Sequence, residues 1–194
     1  MPDPDDHSAV RPNGAVDSAL RRALLEIQRR GAIGGGPIDE AVAHAEQFAA
    51  ALPSWVEAGA RVVDLGSGGG LPGLVLVARR PDLLITLVER RAKRADLLMY
   101  GVRALDATDR VRVVAGDVRT LMTAEPASFD VVTARSFAAP AVVLEVATAL
   151  LRSPGVLLVS EPPSLDDRWS PAGVADAGLV DDGRRGAVRR FLHP

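Results

Sequence analysis

Apolar residues recur along this chain in two rhythms, and the change between them divides it. Over 15–30, "AVDSALRRALLEIQRR", Leu20, Leu24 and Ile27 fall on one side at helical spacing. "GAIGGGP" at 31–37 then breaks the pattern as a hinge or linker. A second helix is predicted over 38–52, "IDEAVAHAEQFAAAL", ending before Pro53. Beyond it the apolar positions gather in short continuous runs at 61–65 (RVVDL), 84–88 (LITLV), 111–115 (VRVVA), 129–133 (FDVVT) and 155–160 (GVLLVS). Helix-sized stretches lie between them, near 71–80, 91–105 and 138–152.

Short strands alternating with helices predict an α/β fold with a mostly parallel sheet and helices on both faces. Cover on both faces explains why the strands read as apolar runs instead of alternating. Near the C-terminus, "SLDDRWSPAGVADAG" suggests a helix, and "LVDD" and "AVRRFLH" suggest a hairpin joining the sheet edge. Three segments follow: a disordered tail over 1–14, an N-terminal helical extension over 15–52 and the α/β domain over 53–194.

Composition adds exclusions. Among 194 residues, 47% are hydrophobic and 25% charged, an ordinary globular balance. No run approaches the roughly 18 apolar residues of a membrane span. The start, "MPDPDDHSAVRPNG", is acidic and proline-rich, unlike a secretory signal. There are no cysteines, and the histidines at 7, 44 and 193 are scattered, so no metal site is expected. A cytoplasmic monomer without membrane contact is the expectation. The net charge of −2 argues against a chain that binds nucleic acid by overall charge. Basic runs at 79–80, 89–94 and 184–190 are either solvated faces or phosphate contacts.

The chemistry concentrates in "RVVDLGSGGGLPG", residues 61–73. The first strand ends at Asp64-Leu65, and the glycines begin at once, beyond the carboxyl end of a strand, where open α/β sheets bind ligands. Glycine there allows positive φ and close approach of the backbone. The helix opening near Leu71-Pro72 presents unpaired N–H groups. Gly68-x-Gly70-x-x-Gly73 matches the dinucleotide fingerprint, a weak signal by itself. Glu89 closes the next strand 23 residues after Gly66, where an acid can accept from ribose hydroxyls. Asp117, in "AGDV", is placed either to contact an adenine ring or to cap the next helix.

"DLGSGGGLPG", "TLVERRAKRADLL" and "FDVVTARSFA" together resemble the bacterial 16S ribosomal RNA guanine-N7 methyltransferase G family, also called glucose-inhibited division protein B. The resemblance covers roughly 61–160 and marks the chain as a divergent, N-terminally short member. It implies a class I methyltransferase (Rossmann-like) fold and S-adenosylmethionine as cofactor. Its implied substrate is ribosomal RNA, alone or in the small ribosomal subunit. By the same resemblance, Gly66, Leu71, Val118, Arg119 and Arg135 line the cofactor site, with Glu89 on the ribose. Asp64 and Gly68, in what looks like the first class I methyltransferase motif, and Asp117, from its place after the third strand, complete the expected set. Arg135 is also the candidate for positioning the substrate; no other catalytic residue is assigned. Arg119 stands where the family more often has an acid.

Two departures bear on the substrate. His44 has Ala43 before it, where the family has an Arg-His pair. After the fifth strand, Glu161-Pro162-Pro163 replaces a lysine-glycine step, exchanging positive charge for negative. Guanine N7 has a free lone pair, so its methylation needs no general base, only proximity and electrostatic help. Phe137 is either core or a surface for base stacking. A small-molecule methyltransferase on the same fold, a non-catalytic cofactor-binding or interaction protein, and an NAD-dependent dehydrogenase remain as alternatives.

Overall fold

The computed structural model describes residues 13–162 and 168–194. Helix α1 (Asn13–Arg29) opens two residues inside the segment expected as tail; residues 1–12 lie outside those described. Leu20, Leu24 and Ile27 are all buried, as their spacing predicts. Gln28 Nε2 donates to the carbonyls of Gly34 (2.6 Å) and Gly36 (2.7 Å), folding the linker back onto α1. Helix α2 (Ile38–Ala50) buries Ile38, Ala45 and Phe48. Full burial of such side chains stabilises by about 1.5–3 kcal/mol each, so packing sets where these helices lie.

Five strands are parallel: β1 (Arg61–Leu65), β2 (Leu84–Glu89), β3 (Val111–Ala115), β4 (Phe129–Ala134) and β5 (Leu151–Ser160). The crossovers carry α3 (Gly73–Arg79), α4 (Ala92–Ala104), α5 (Val118–Ala124) and α6 (Pro140–Leu150). Then come α7 (Pro171–Asp176), β6 (Val180–Arg185) and β7 (Val188–His193), and β7 joins β5 antiparallel. The seven-stranded order is β3-β2-β1-β4-β5-β7-β6. The expected edge hairpin is therefore present.

Two apolar clusters flank the sheet. Val62, Ile85, Leu87, Val131 and Leu158 pack with α1 to α4 on one face. Val63, Leu65, Val88, Val132 and Leu157 pack with α5 to α7 on the other. Neighbouring residues within one strand thus serve opposite cores, as alternating side-chain direction requires.

β5 begins at Leu151, earlier than its apolar run indicates, and α6 stops one residue before it. Leu151 pairs with Phe129, and the register shifts before Val131 meets Val156. Pro154 falls in that irregular stretch, where a missing N–H breaks no regular ladder. Of the helix expected in "SLDDRWSPAGVADAG", residues 164–167 lie outside those described. α7 covers the later part, with Ser170 Oγ accepting from Gly173 N at 3.3 Å.

Candidate functional site

β1 lies between β2 and β4, so the chain leaves its two sides in opposite directions. A crevice opens at such a switch point, beyond the carboxyl ends of the strands. The glycine loop after β1 enters it and is held by backbone bonds. Ser67 N donates to Val88 O (2.8 Å), and Ser67 Oγ donates to Asp64 O (3.0 Å). Gly68 N donates to Glu89 Oε2 (3.0 Å), and Arg91 N donates to Glu89 Oε1 (2.7 Å). One carboxylate thereby ties the loop after β1 to the turn after β2. Each of its oxygens keeps a second lone pair for a ligand hydroxyl.

Gly66 has φ +62°, and a Cβ there would lie 2.8 Å from Phe137 Cδ2. Only glycine suits this combination of left-handed backbone and ring contact. Phe137 both packs on the apolar cluster around α5 and α6 and faces the cleft. That cleft, about 440 Å³, is within the range of cofactor sites. Gly66, Glu89, Asp117, Val118 and Arg119 line it with Phe137. Asp117 is the N-cap of α5 and accepts from Arg119 N at 2.9 Å, so it caps the helix and lines the cleft together. The Arg119 amide is thus engaged, and Val118 N–H, first in the helix, has no intrahelical acceptor.

Asp64 and Arg135 lie near the loop without lining the cleft. Asp64 is 1% exposed and points toward α3. Thr133 Oγ1 donates to its Oδ1 at 2.7 Å, while Oδ2 faces the Gly73 amide without a hydrogen bond of good geometry. Burial pushes the carboxyl up to about 6, against the opposing pull of Thr133, Ser67, Gly73 and Arg135. Arg135 is half-buried beside it, and its Nη1 has no partner among the described residues. Burial holds its guanidinium below the usual value, and Asp64 partly offsets this. His44 is also lowered, by burial and then by the Arg135 charge. Asp64, Arg135 and His44 therefore form one electrostatic group behind the glycine loop.

Of the residues expected to form the site, the structure gathers Gly66, Glu89, Asp117, Val118 and Arg119 around the cleft. Gly68 holds the loop to Glu89, and Leu71 packs on the apolar cluster beneath α3. Asp64 and Arg135 stand outside the cleft wall. Met122, Ser136, Glu145 and Val146 were not anticipated as lining. Their only signal is position after β3 or β4, because packing of α5 and α6 brings them in. The linker's contribution was also missed: a Cβ on Gly69 would come within 2.7 Å of Ala32 O and collide with Ile33. The segment read as a hinge is seated directly on the glycine loop.

Glu161, the departure after β5, turns inward. Its side chain is 3% exposed, accepting from Trp169 Nε1 at 2.7 Å and from Arg168 Nη2 at 3.2 Å. Arg168 also lies over the Trp169 ring, 5.2 Å from its centroid.

Known proteins share both the sequence pattern and the fold. The chain is 45% identical over 93 residues to a ribosomal RNA small subunit methyltransferase G of Salinispora tropica, taking in 46% of this chain and 38% of that protein. It is 37% identical over 132 residues to the enzyme of the same name from Roseiflexus castenholzii, covering 65% of this chain and 54% of that one. The chain thus spans about half the length, or less, of these curated relatives. Among solved structures, the S-adenosylmethionine-dependent methyltransferase SibL in its apo form aligns with a TM-score of 0.62 at 18% identity, covering 97% of this chain and 71% of that one. At that identity the likeness establishes the class I methyltransferase fold alone. The family model for rRNA small subunit methyltransferase G matches residues 42–168, well over half of the sequence, and the chain belongs to that family.

Proposed function

We propose that this protein binds S-adenosylmethionine and methylates N7 of a guanine in 16S ribosomal RNA. The observation that carries the reading is Glu89, buried between the Gly68 and Arg91 amides at the edge of a cofactor-sized cleft. An acid so held is pre-oriented to accept from vicinal ribose hydroxyls. The residues suit the cofactor in two further respects. The loop presents bare backbone at Gly66 and Gly68, and the buried Arg135 Nη1 without a partner suits a carboxylate.

In this assignment Glu89 takes the ribose, and Asp117, the Val118 amide and Phe137 surround the adenine. Gly66 and Gly68 leave bare backbone beside the amino-acid end, and the Arg135 charge, outside the cleft wall, attracts its carboxylate. Asp64 supports the loop from beneath instead of touching the ligand. When bound, S-adenosylmethionine would supply an electrophilic methyl on a positively charged sulfur, with the thioether as leaving group. The chain contributes orientation, with Phe137 forming part of the apolar wall of the cleft. No side chain need remove a proton, since neutral guanine carries its lone pair at N7.

Ribosomal RNA as the substrate draws support from the family and from Glu161. Its charge is buried against Trp169 and Arg168, so it does not oppose RNA phosphates as its position after β5 suggested. The test is calorimetric titration with S-adenosylmethionine and S-adenosylhomocysteine, followed by methyl transfer to purified small ribosomal subunits and mapping of the modified base. Micromolar binding with methylation at guanine N7 is expected. Binding without transfer to RNA would favour a small-molecule acceptor, and absence of binding would overturn the cofactor assignment.

A further inference from the structure

Many of the arginines are neutralised by carboxylates. Arg21 pairs with Asp39, Arg79 with Asp17 and Glu46, Arg80 with Asp82, and Arg189 and Arg190 with Asp181 and Asp182. Two of the three basic runs in the sequence, at 79–80 and 184–190, are therefore largely spent within the fold. The third is not. Arg91, Lys93 and Arg94 have no ion-pair partner among the described residues, and Lys93 is the sole lysine of the chain. They occupy the first turn of α4 and its N-cap, where no acid is present. Cations at that end of a helix oppose its dipole, and an anion placed among them relieves both charges.

These residues face a second groove, of about 460 Å³, between α4 and the α1–α2 linker. Arg30, Arg91, Lys93 and Arg94 line it, with Ala32 and Leu97 as its apolar part and no acidic residue in its wall. Arg30 reaches it from α1, bridged to Glu26 at 2.6 Å and lying 5.9 Å over the Tyr100 ring. Tyr100, the single tyrosine, is 40% exposed beside it. Arg91 and Arg94 belong to both this groove and the cofactor cleft, so the two are continuous.

We infer that this groove is the entry track for the RNA backbone, holding the phosphodiester next to the target base as the base enters the cleft. The inference rests on the RNA methyltransferase reading and adds where the substrate lies. Charge complementarity selects the occupant. Unpaired cations following a channel, with an exposed aromatic at its side, match single-stranded RNA, in which each nucleotide brings one phosphate and one stackable face. Ala32, in the wall of the groove, also touches Gly69, so RNA in the groove lies next to the glycine loop.

The experiment uses the full chain and a fluorescein-labelled 16S ribosomal RNA fragment, with binding followed by anisotropy over a salt series. The variant is Lys93→Gln, because this residue has no ion-pair partner among the described residues and does not line the cofactor cleft. RNA affinity should fall about ten-fold. The slope of log affinity against log salt should flatten by about 0.7, the share of one phosphate no longer neutralised. S-adenosylmethionine affinity, read by calorimetry, should not change. Removing two charges elsewhere, in Arg112→Gln/Arg185→Gln, should leave the slope near that of the wild type. If the first variant keeps wild-type RNA affinity and slope, or if both variants weaken equally, the groove is not the track. A wild type that binds cofactor but no RNA would overturn the substrate reading together with the groove.

Discussion

Gly68 N donates to Glu89 Oε2 at 3.0 Å, joining the glycine loop after β1 to the last residue of β2. Glu89 is 6% exposed and accepts a second amide, from Arg91. A residue placed to meet a ribose is thus also a fastening for the loop around it, and its removal should affect ligand and fold separately.

Glu89→Ala leaves two amides without an acceptor, and each buried unsatisfied donor costs about 1–3 kcal/mol. Urea unfolding should show a loss of that order, with S-adenosylmethionine affinity down by ten-fold or more. Glu89→Gln keeps the shape but accepts on one atom only. It should lie between the wild type and Glu89→Ala in both measurements.

Gly66→Ala should weaken cofactor binding, because its Cβ meets Phe137 and its φ is positive. Left-handed backbone costs a non-glycine residue about 1–2 kcal/mol. Adding Phe137→Ala should relieve the ring contact but not the backbone strain. The double variant should therefore be more stable than the sum of the single changes, a coupling measurable by a double-mutant cycle.

The buried Asp64 carboxyl, raised from 3.8 to about 6, makes stability depend on pH. Its folded pKa exceeds its unfolded value, so the folded protein binds the extra proton between about pH 4 and pH 6. Its contribution to stability is full below that window and is lost as pH rises through it. A shift of this size corresponds to roughly 3 kcal/mol. The stability of wild type minus Asp64→Asn, from denaturant midpoints, should decline across this window and level off above pH 6. A difference that rises with pH would contradict the burial account.

Restoring a lysine at 161 should harm the fold. Glu161→Lys leaves Trp169 Nε1 without its acceptor and buries a cation beside Arg168. One unsatisfied buried donor costs about 1–3 kcal/mol, and the repulsion with the partly exposed Arg168 adds to it in screened form. Glu161→Gln retains an acceptor and should cost about 1–2 kcal/mol. Unfolding followed by Trp169 fluorescence distinguishes the two.

By itself the sequence determined the local pattern: the spacing of Leu20, Leu24 and Ile27, the apolar runs of the strands, and glycine or acid at the strand ends. Those features follow from backbone geometry and side-chain periodicity, which act over a few residues. Gly66, Glu89 and Asp117 were legible because a parallel sheet sends all its strand ends to one edge. Tertiary structure alone decided which way the remaining groups turn. Asp64 goes beneath α3, since alternation along β1 assigns neighbours to opposite cores, and Phe137, in the turn after β4, packs onto Gly66. The Ala32-Ile33 linker settles on Gly69, and Glu161 turns in to Trp169. The arginines of α4 stay unpaired while Arg79, Arg80, Arg185, Arg189 and Arg190 find carboxylates. Such outcomes depend on burial and on charges distant in sequence, brought within a few ångströms only after the helices have packed.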